Sequence, residues 1–384
     1  MRLLQAMQAA GASPYLLTED SAPEGEDEAR SMGWEVEVYP RPFPTPRLRA
    51  RQHLRRYVVP HNPGLWRRAA ELASGSAFAQ LEEIGAAQYV RAVAGRTPLA
   101  VSLHNVDSEV MAADVEHLGH RDRIRHRYYL SRMVATEKRA VRAADLVLCV
   151  SDHDQSHFQA IGGHNCVVAA NGVDDALFDV PLPLPNAKVA FFFGQFGWRP
   201  NADGALRFIR EVWPIVAAAE PEARLRISGP GSAEALASVA ASHPRVEVLG
   251  FVPKLTDQLA ACRLVVAPLW AGGGTRIKVL EALAAGRPVV GTPLGVERLG
   301  FISGLHGLSA ESSHELAAAT VRVLREDEFA NRCGLAARGL ARGFRWSFTT
   351  RPARTAYQDW INVANAHHVR RGDRRLRGAR SSSW

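Results

Sequence analysis

Short runs that are apolar at nearly every position, each too brief for a helix and each followed by a segment of helical periodicity, most constrain how this chain folds. PLAVSL, DLVLCV, VAFFFG and RLVVAPL are the clearest. A strand with no polar alternation is buried on both faces, which happens in parallel sheets covered by helices on either side. The alternation occurs in two series. The first passes from a helix at Leu3–Ala10 through Pro14–Thr18, GWEVEVYP, AFAQLEE, PLAVSLHN and DLVLCVS to NCVVAANGVD, with helices around Trp66–Leu72, in AAQYVRAVA, over residues 120–144 and over Asp152–Ile161. The second begins at VAFFFG and continues through a helix containing Ala202–Val216, RLRISG, a strand ending at Gly250, RLVVAPL and PVVGT. Between them PLPLPNAK, residues 181–188, has three prolines and no periodicity, the composition of a linker. The expectation is α/β, with two doubly wound Rossmann-like domains, residues 1–180 and 189–348, facing a central cleft.

The chain's 384 residues suffice for two such domains, and 47% hydrophobic against 22% charged residues describes a globular protein. No apolar run reaches the roughly 18 residues that span a bilayer, and MRLLQAMQAAGASPYLLTED lacks the regions of a secretion signal, so a cytoplasmic location is expected. Cys149, Cys166, Cys262 and Cys333 show no metal-ligand spacing and read as free buried thiols. The formal charge of +8 comes almost wholly from arginine. It concentrates between Arg41 and Arg68 and in the tail over residues 367–384, which ends in VRRGDRRLRGARSSSW. These read either as a solvated face and a disordered end, or as attraction to an anionic membrane surface or lipid-phosphate acceptor at the inner face of the membrane. No reader motif points to nucleic acid, and zinc, Walker and GxSxG motifs are absent.

The densest chemistry lies in VVAPLWAGGGTRIKVLEALAAGRPVV, Val265–Val290. A strand breaks at Gly272, Gly273 and Gly274 and restarts as a helix until Gly286 and Pro288. Glycines admit a ligand close to the backbone, and the unpaired amides and dipole of a helix start favour an anion. A helix from about Gly274 groups Thr275, Lys278 and Glu281 on one face and Ile277, Leu280, Leu283 and Ala284 on the other. Arg276 and Lys278 then add positive charge for a phosphate or diphosphate. The plain alternative makes Lys278 and Glu281 an intrahelical ion pair.

GGGTRIKVLEALAAGRPVV resembles the donor-site segment of the GT-B glycosyltransferases of family four, the retaining enzymes labelled glycosyl transferases group 1. FFFGQFGWRPNADGALRFIREVWP, RLRISGPG and VEVLGFVPKLTDQLAACRLVVAPL extend the resemblance in family order over most of residues 188–345. It implies transfer of a sugar from a nucleoside diphosphate donor, UDP or GDP, with retention and with no metal or other cofactor. It also implies a last helix, about residues 349–366, that crosses back onto the first domain. Fixed cations and amides would stabilise the departing diphosphate, which makes Arg276, Lys278 and the amides of Gly272–Thr275 the natural candidates. Glu281 corresponds to the second glutamate of the family pattern, a ribose ligand, whereas the first is Gly273 here. GQFGWRPNADG departs from the family's arginine and lysine form and offers Gln195, Arg199 or Asn201, with Arg199 as a phosphate candidate. Phe251 and Val252 occupy the position of base docking, against the plain reading of Phe251 as core.

In the first domain, His104 matches a family histidine that contacts the donor sugar or reacting centre, and Asn105 follows it. Asp107 and Glu109 read as caps of the next helix. Asn171 and Gly172 open the family's hinge-proximal loop. Family members begin with a strand and a glycine-rich loop, whereas this sequence begins at what reads as the first helix. The expected protein is thus a glycosyltransferase acting on a glycan, lipid or small molecule. Its rivals are another GT-B sugar enzyme, such as an epimerase, and a non-catalytic nucleotide-sugar-binding protein.

Overall fold

The computed structural model describes residues 2–19, 23–39, 62–113, 120–243, 245–272 and 275–363. The chain forms two compact units, Met1–Ala170 with Thr350–Trp384, and Asn171–Thr349.

The second unit contains β7 (Val189–Phe193), β8 (Arg224–Ser228), β9 (Val246–Gly250), β10 (Leu264–Ala267), β11 (Val289–Gly291) and β12 (Gly307–Ser309). The earlier strands, β1 to β6, belong to the first unit. The six form one parallel sheet in the order β12-β11-β10-β7-β8-β9. Strand alternation divides its core in two. Ala190, Phe192, Leu225, Ile227, Leu264 and Val266 pack on one face, and Val189, Phe191, Phe193, Val265 and Ala267 on the other. The continuous apolar runs are thereby fully used.

In the first unit β1 (Tyr15–Glu19) pairs in parallel with β2 (Glu35–Tyr39). A separate parallel sheet takes β3 (Ala79–Glu82), β4 (Leu99–Leu103), β5 (Leu146–Cys149) and β6 (Cys166–Val168) in chain order. Leu99, Val101, Leu103 and Val147 face one core; Ala100, Leu146 and Leu148 face another, shared with Ala6 and Met7 and with Ala353, Tyr357 and Ile361 of the helix over residues 351–363.

Two expectations change here. Residues 171–180, assigned from the sequence to the first domain, pack into the second: Val173, Leu177, Phe178 and Val180 join the core beside Val189 and Leu283. The segment 181–188 is not a free linker either. Arg287 donates to the Pro181 carbonyl (2.9 Å) and Arg263 to that of Pro185 (3.4 Å), while the Leu184 amide donates to Asn331 (2.8 Å); Arg338 donates to the carbonyl of Val180, just before the segment. Arg263 and Arg287 are fully buried. A buried guanidinium needs acceptors, and carbonyls of a proline-rich segment supply them without amides of their own competing. β12 and the helices Ser313–Arg325 and Asp327–Ala341 have no counterpart in the sequence-based reading.

All four cysteines are buried and free. Among the described residues no helix is long and apolar enough to cross a membrane. Most of the basic tract and the whole tail lie outside the described residues.

Candidate active site

In the six-stranded sheet the chain winds outward from β7 through β8 to β9, then returns to β10 on the other side of β7. The register Leu264↔Ala190 and Val265↔Phe191 makes these two strands neighbours. Loops leaving adjacent strands at such a reversal go to opposite faces and open a crevice at the carboxyl edge. A cavity of about 240 Å³ lies there, lined by Phe193, Gly194, Trp198, Leu269, Thr275, Arg276, Ile277, Lys278 and Glu281.

Two glycines make room for it. Gly194 has φ +154°, and a Cβ there would stand 2.8 Å from the Asn201 amide and 3.3 Å from Lys278 Nζ. Gly272 has φ +110°, and its Cβ would meet the Trp198 ring at 2.7 Å. Both positions exclude larger residues on conformation and on space. Gly273 and Gly274 lie outside the described residues.

The helix begins at Ile277 and runs to Ala284, later than the start near Gly274 expected from the sequence. The Arg276 carbonyl accepts from the Val279 and Leu280 amides at 2.9 and 3.1 Å. Leu280, Leu283 and Ala284 are buried as expected, whereas Ile277 is 44% exposed and lines the cavity. At 100° per residue Ile277 lies only about 40° from Glu281, at the edge of the packed stripe rather than within it.

The cations at the cavity differ in kind. Arg276 is buried; it donates to the carbonyls of Leu294 (2.9 Å) and Gly272 (3.0 Å) and pairs with Glu297 (3.1 Å). It holds the glycine turn against the following loop. Lys278 has no such carboxylate among the described residues: Nζ donates to Asn201 Oδ1 and lies 4.5 Å from the centre of the Phe192 ring. The alternative of a Lys278–Glu281 ion pair is thus not realised within 4.0 Å. Asn201 is itself buried and donates to the Gln195 carbonyl at 2.8 Å, so its side chain has one orientation. Burial, with Arg276 beside it, brings the Lys278 ammonium down to about 7. Burial, with Asp174 nearby, brings the Glu281 carboxyl up to about 7. Two oppositely charged groups are therefore both held near neutrality in the same wall, a pattern common at functional sites.

Other candidates sit elsewhere. Arg199 is 81% exposed and pairs with Asp203 at 3.1 Å, away from the cavity wall. Phe251 follows β9 and is 71% exposed, which overturns its reading as core; neither it nor Val252 lines the cavity. Gly172 is buried under Trp346, where a Cβ would approach to 2.7 Å, and Asn171 precedes it half-buried. Trp198, not among the residues singled out in that loop from the sequence, forms part of the cavity wall. Its indole packs on Gly272, a pairing between residues 74 positions apart that no local pattern reveals.

In the first unit His104 and Asn105 follow β4 at its carboxyl end. His104 Nε2 lies 3.3 Å from Glu82 Oε2, at the end of the neighbouring β3. Glu82 raises the histidine above its ordinary range against the opposing effect of burial. Glu109 pairs with His153 (2.8 Å) and His157 (3.4 Å) and is engaged there rather than as a cap alone. Glu82 was not a candidate from the sequence, because a glutamate at a strand end beside another glutamate carries no motif.

Two α/β units of parallel sheet, one with a reversal crevice at its carboxyl edge, are the architecture of the GT-B class of glycosyltransferases. Residues 187–326 match the family profile described as glycosyl transferases group 1, and residues 1–177 match glycosyltransferase family 4. The chain belongs to the group 1 glycosyltransferases of family four. Its fold is similar to that of Anabaena HepE in complex with UDP and glucose (19% identity, 93% of this chain and 95% of that one, TM-score 0.67). It is also similar to sucrose-phosphate synthase from Thermosynechococcus elongatus (15%, 92% and 100%, 0.62). A third relative in fold is a glycosyltransferase from Rickettsia africae (12%, 94% and 94%, 0.61). No curated protein sequence matches the chain significantly.

Proposed function

We propose that this glycosyltransferase is a retaining enzyme that takes a UDP or GDP sugar and binds its diphosphate in the crevice between β7 and β10. The observation that carries the reading is Lys278, a cation set in the cavity wall with an amide oxygen and an aromatic face as its neighbours and, among the described residues, no carboxylate within ion-pair distance. A diphosphate would supply the missing charge, and its arrival would draw a proton onto the lysine. When the glycosidic bond breaks, the charge that develops on the leaving diphosphate meets Lys278, already in place. Arg276 stabilises the glycine turn and adds its field. Glu281, on the same helix face, is suited to accept from the donor ribose. Residents of the neighbouring HepE structures, UDP and UDP-glucose, favour uridine among the two bases.

In this reading the charge needed by the leaving group comes from the protein, so no divalent cation is required. His104, at the carboxyl end of β4, is the proposed contact to the donor sugar. The basic tract after Arg41 suits an anionic acceptor or a membrane surface bearing one.

Melting temperature against UDP, GDP, UDP-glucose and GDP-mannose, with and without EDTA, tests the proposal. A shift with one base that EDTA leaves intact and Lys278→Ala abolishes is expected. No shift with any nucleotide would overturn the donor assignment. Binding without transfer to any acceptor would instead indicate a non-catalytic nucleotide-sugar protein.

A further inference from the structure

Alternation along β3 places Gln80 and Glu82 on one face of the sheet with Ala100 and Ser102 of β4 beside them; Phe78 immediately precedes β3 and His104 immediately follows β4. The register is direct, Gln80↔Ala100 and Glu82↔Ser102. The helix over residues 351–363 covers this face. Tyr357 is fully buried on it, its ring stacked on Phe78 with centroids 5.2 Å apart and planes inclined by 7°. The Tyr357 hydroxyl donates to Gln80 Oε1, and Gln80 Nε2 donates to Glu82 Oε1. Glu82 Oε2 is then the oxygen that meets His104 Nε2 at 3.3 Å.

Each link fixes the next. A phenol can give its hydrogen only to an acceptor, which turns the Gln80 amide oxygen toward the helix and its NH₂ toward the carboxylate. That NH₂ holds one carboxylate oxygen and leaves the other for the imidazole. Glu83, the next residue, has φ +63°, a left-handed conformation that costs a non-glycine residue on the order of 1 kcal/mol. Strain of this kind persists where the surroundings over-determine a position, and it marks functional sites more often than chance.

We infer that Glu82 is a positioning residue for His104, and that Tyr357 of the helix over residues 351–363 locks it through Gln80. With Nε2 turned to Glu82, His104 presents Nδ1 to a substrate in one orientation. The carboxylates acting on the ring are those of Glu82 and Glu83, and both favour the imidazolium. Burial pushes Glu82 upward, but hydrogen bonds from His104, Ser102 and Gln80 outweigh it and hold the carboxyl below its usual range. The Tyr357 phenol, raised by burial and by Glu82, stays neutral and keeps its hydrogen for Gln80. The pair therefore works as a charged hydrogen-bond donor whose counter-charge is built in, suited to a sugar hydroxyl or to the oxygen of a departing group.

This inference rests on the proposed role of His104, and its test separates the two. The imidazole proton of His104 is titrated by NMR in the wild type, in Glu82→Gln, in Glu82→Asp and in Tyr357→Phe, with His104→Asn supplying the assignment. Glu82→Gln is expected to lower the titration midpoint of His104 toward that of an ordinary histidine. It should also lower kcat about tenfold on whichever of UDP-glucose and GDP-mannose the enzyme hydrolyses, with KM within about twofold. Glu82→Asp should restore part of both effects, and Tyr357→Phe should move both in the same direction by less. An unmoved His104 titration in Glu82→Gln would overturn the inference, as would loss of donor affinity at unchanged kcat. Should no nucleotide sugar be turned over, a shifted titration would still support the positioning while sinking the proposed role of His104. If Glu82→Gln does not fold, Tyr357→Phe reads the same chain from its other end, and its failure to move the titration counts against it.

Discussion

The crevice at Lys278 and the corner at His104 both lie at carboxyl ends of parallel strands, yet they treat charge in opposite ways. At the crevice, burial pushes Lys278 down and Glu281 up until both stand near neutrality, and the two are not paired. At the corner, His104 and Glu82 meet at 3.3 Å and each is held more firmly in its charged form. A site that keeps its cation uncompensated stores binding free energy for an anion that comes from outside. One that carries its own counter-ion offers a fixed dipole and asks little of the ligand. Under the proposed function, Lys278 would hold a diphosphate and His104 would orient a sugar.

Lys278→Ala should break the contrast most severely. Removing a preorganised donor to developing charge costs about 3 kcal/mol, so kcat/KM should fall by about 100-fold or more while the melting profile stays cooperative. An unchanged kcat/KM would show the crevice to be the wrong place for the diphosphate.

Without nucleotide the same lysine should cost stability. Its folded value, about 7, lies below the ordinary 10.5. The cost is thus fully present below pH 7 and disappears as pH rises toward 10.5, because the unfolded chain keeps its proton over that interval. Lys278→Met should accordingly stabilise the apo protein at pH 7 by on the order of 2 kcal/mol, with the gain shrinking by pH 10. Chemical denaturation at the two pH values checks this.

Glu281→Gln should show the mirror dependence at smaller size. The Glu281 carboxyl, raised from 4.5 to about 7, holds a proton in the folded state that the unfolded chain has lost, so its cost grows between those values. A gain of about 1 kcal/mol is expected at pH 8, fading toward pH 5.

His104→Asn should have the opposite sign and the least effect. A histidine raised by its partner contributes stability fully present below its unfolded value near 6.5 and lost as pH rises through the folded one. With the side chain 42% exposed, solvent screening leaves well under 1 kcal/mol at pH 6 and nothing at pH 9. A stabilising His104→Asn would erase the distinction between the two sites.

Much of this was legible in the residues. The central strands β4, β5, β7 and β10 follow from apolar runs, since a strand buried on both faces is apolar at nearly every position. Lys278 and Glu281 fall on one helix face by their spacing, and the three glycines mark where a backbone must approach closely. Less legible was the fate of Arg276: adjacent in sequence to the crevice, it turns to Leu294, Gly272 and Glu297, and only the fold of the following loop brings those acceptors within reach. Asn201 likewise stood among several polar residues of a variant loop until β7 and β10 became neighbours and set it on Lys278.

The sequence by itself determined the alternation of strand and helix, the family, and the position of the strand, glycine turn and helix that carries Lys278. Each of these depends on local spacing, and local spacing is what side-chain periodicity records. Tertiary structure decided which charges are paired. Arg263 and Arg287 bind the proline-rich segment into the second unit, and Tyr357 reaches Gln80 across 277 positions of chain. A buried polar group must find its partner wherever the fold puts one, and sequence distance places no limit on that search.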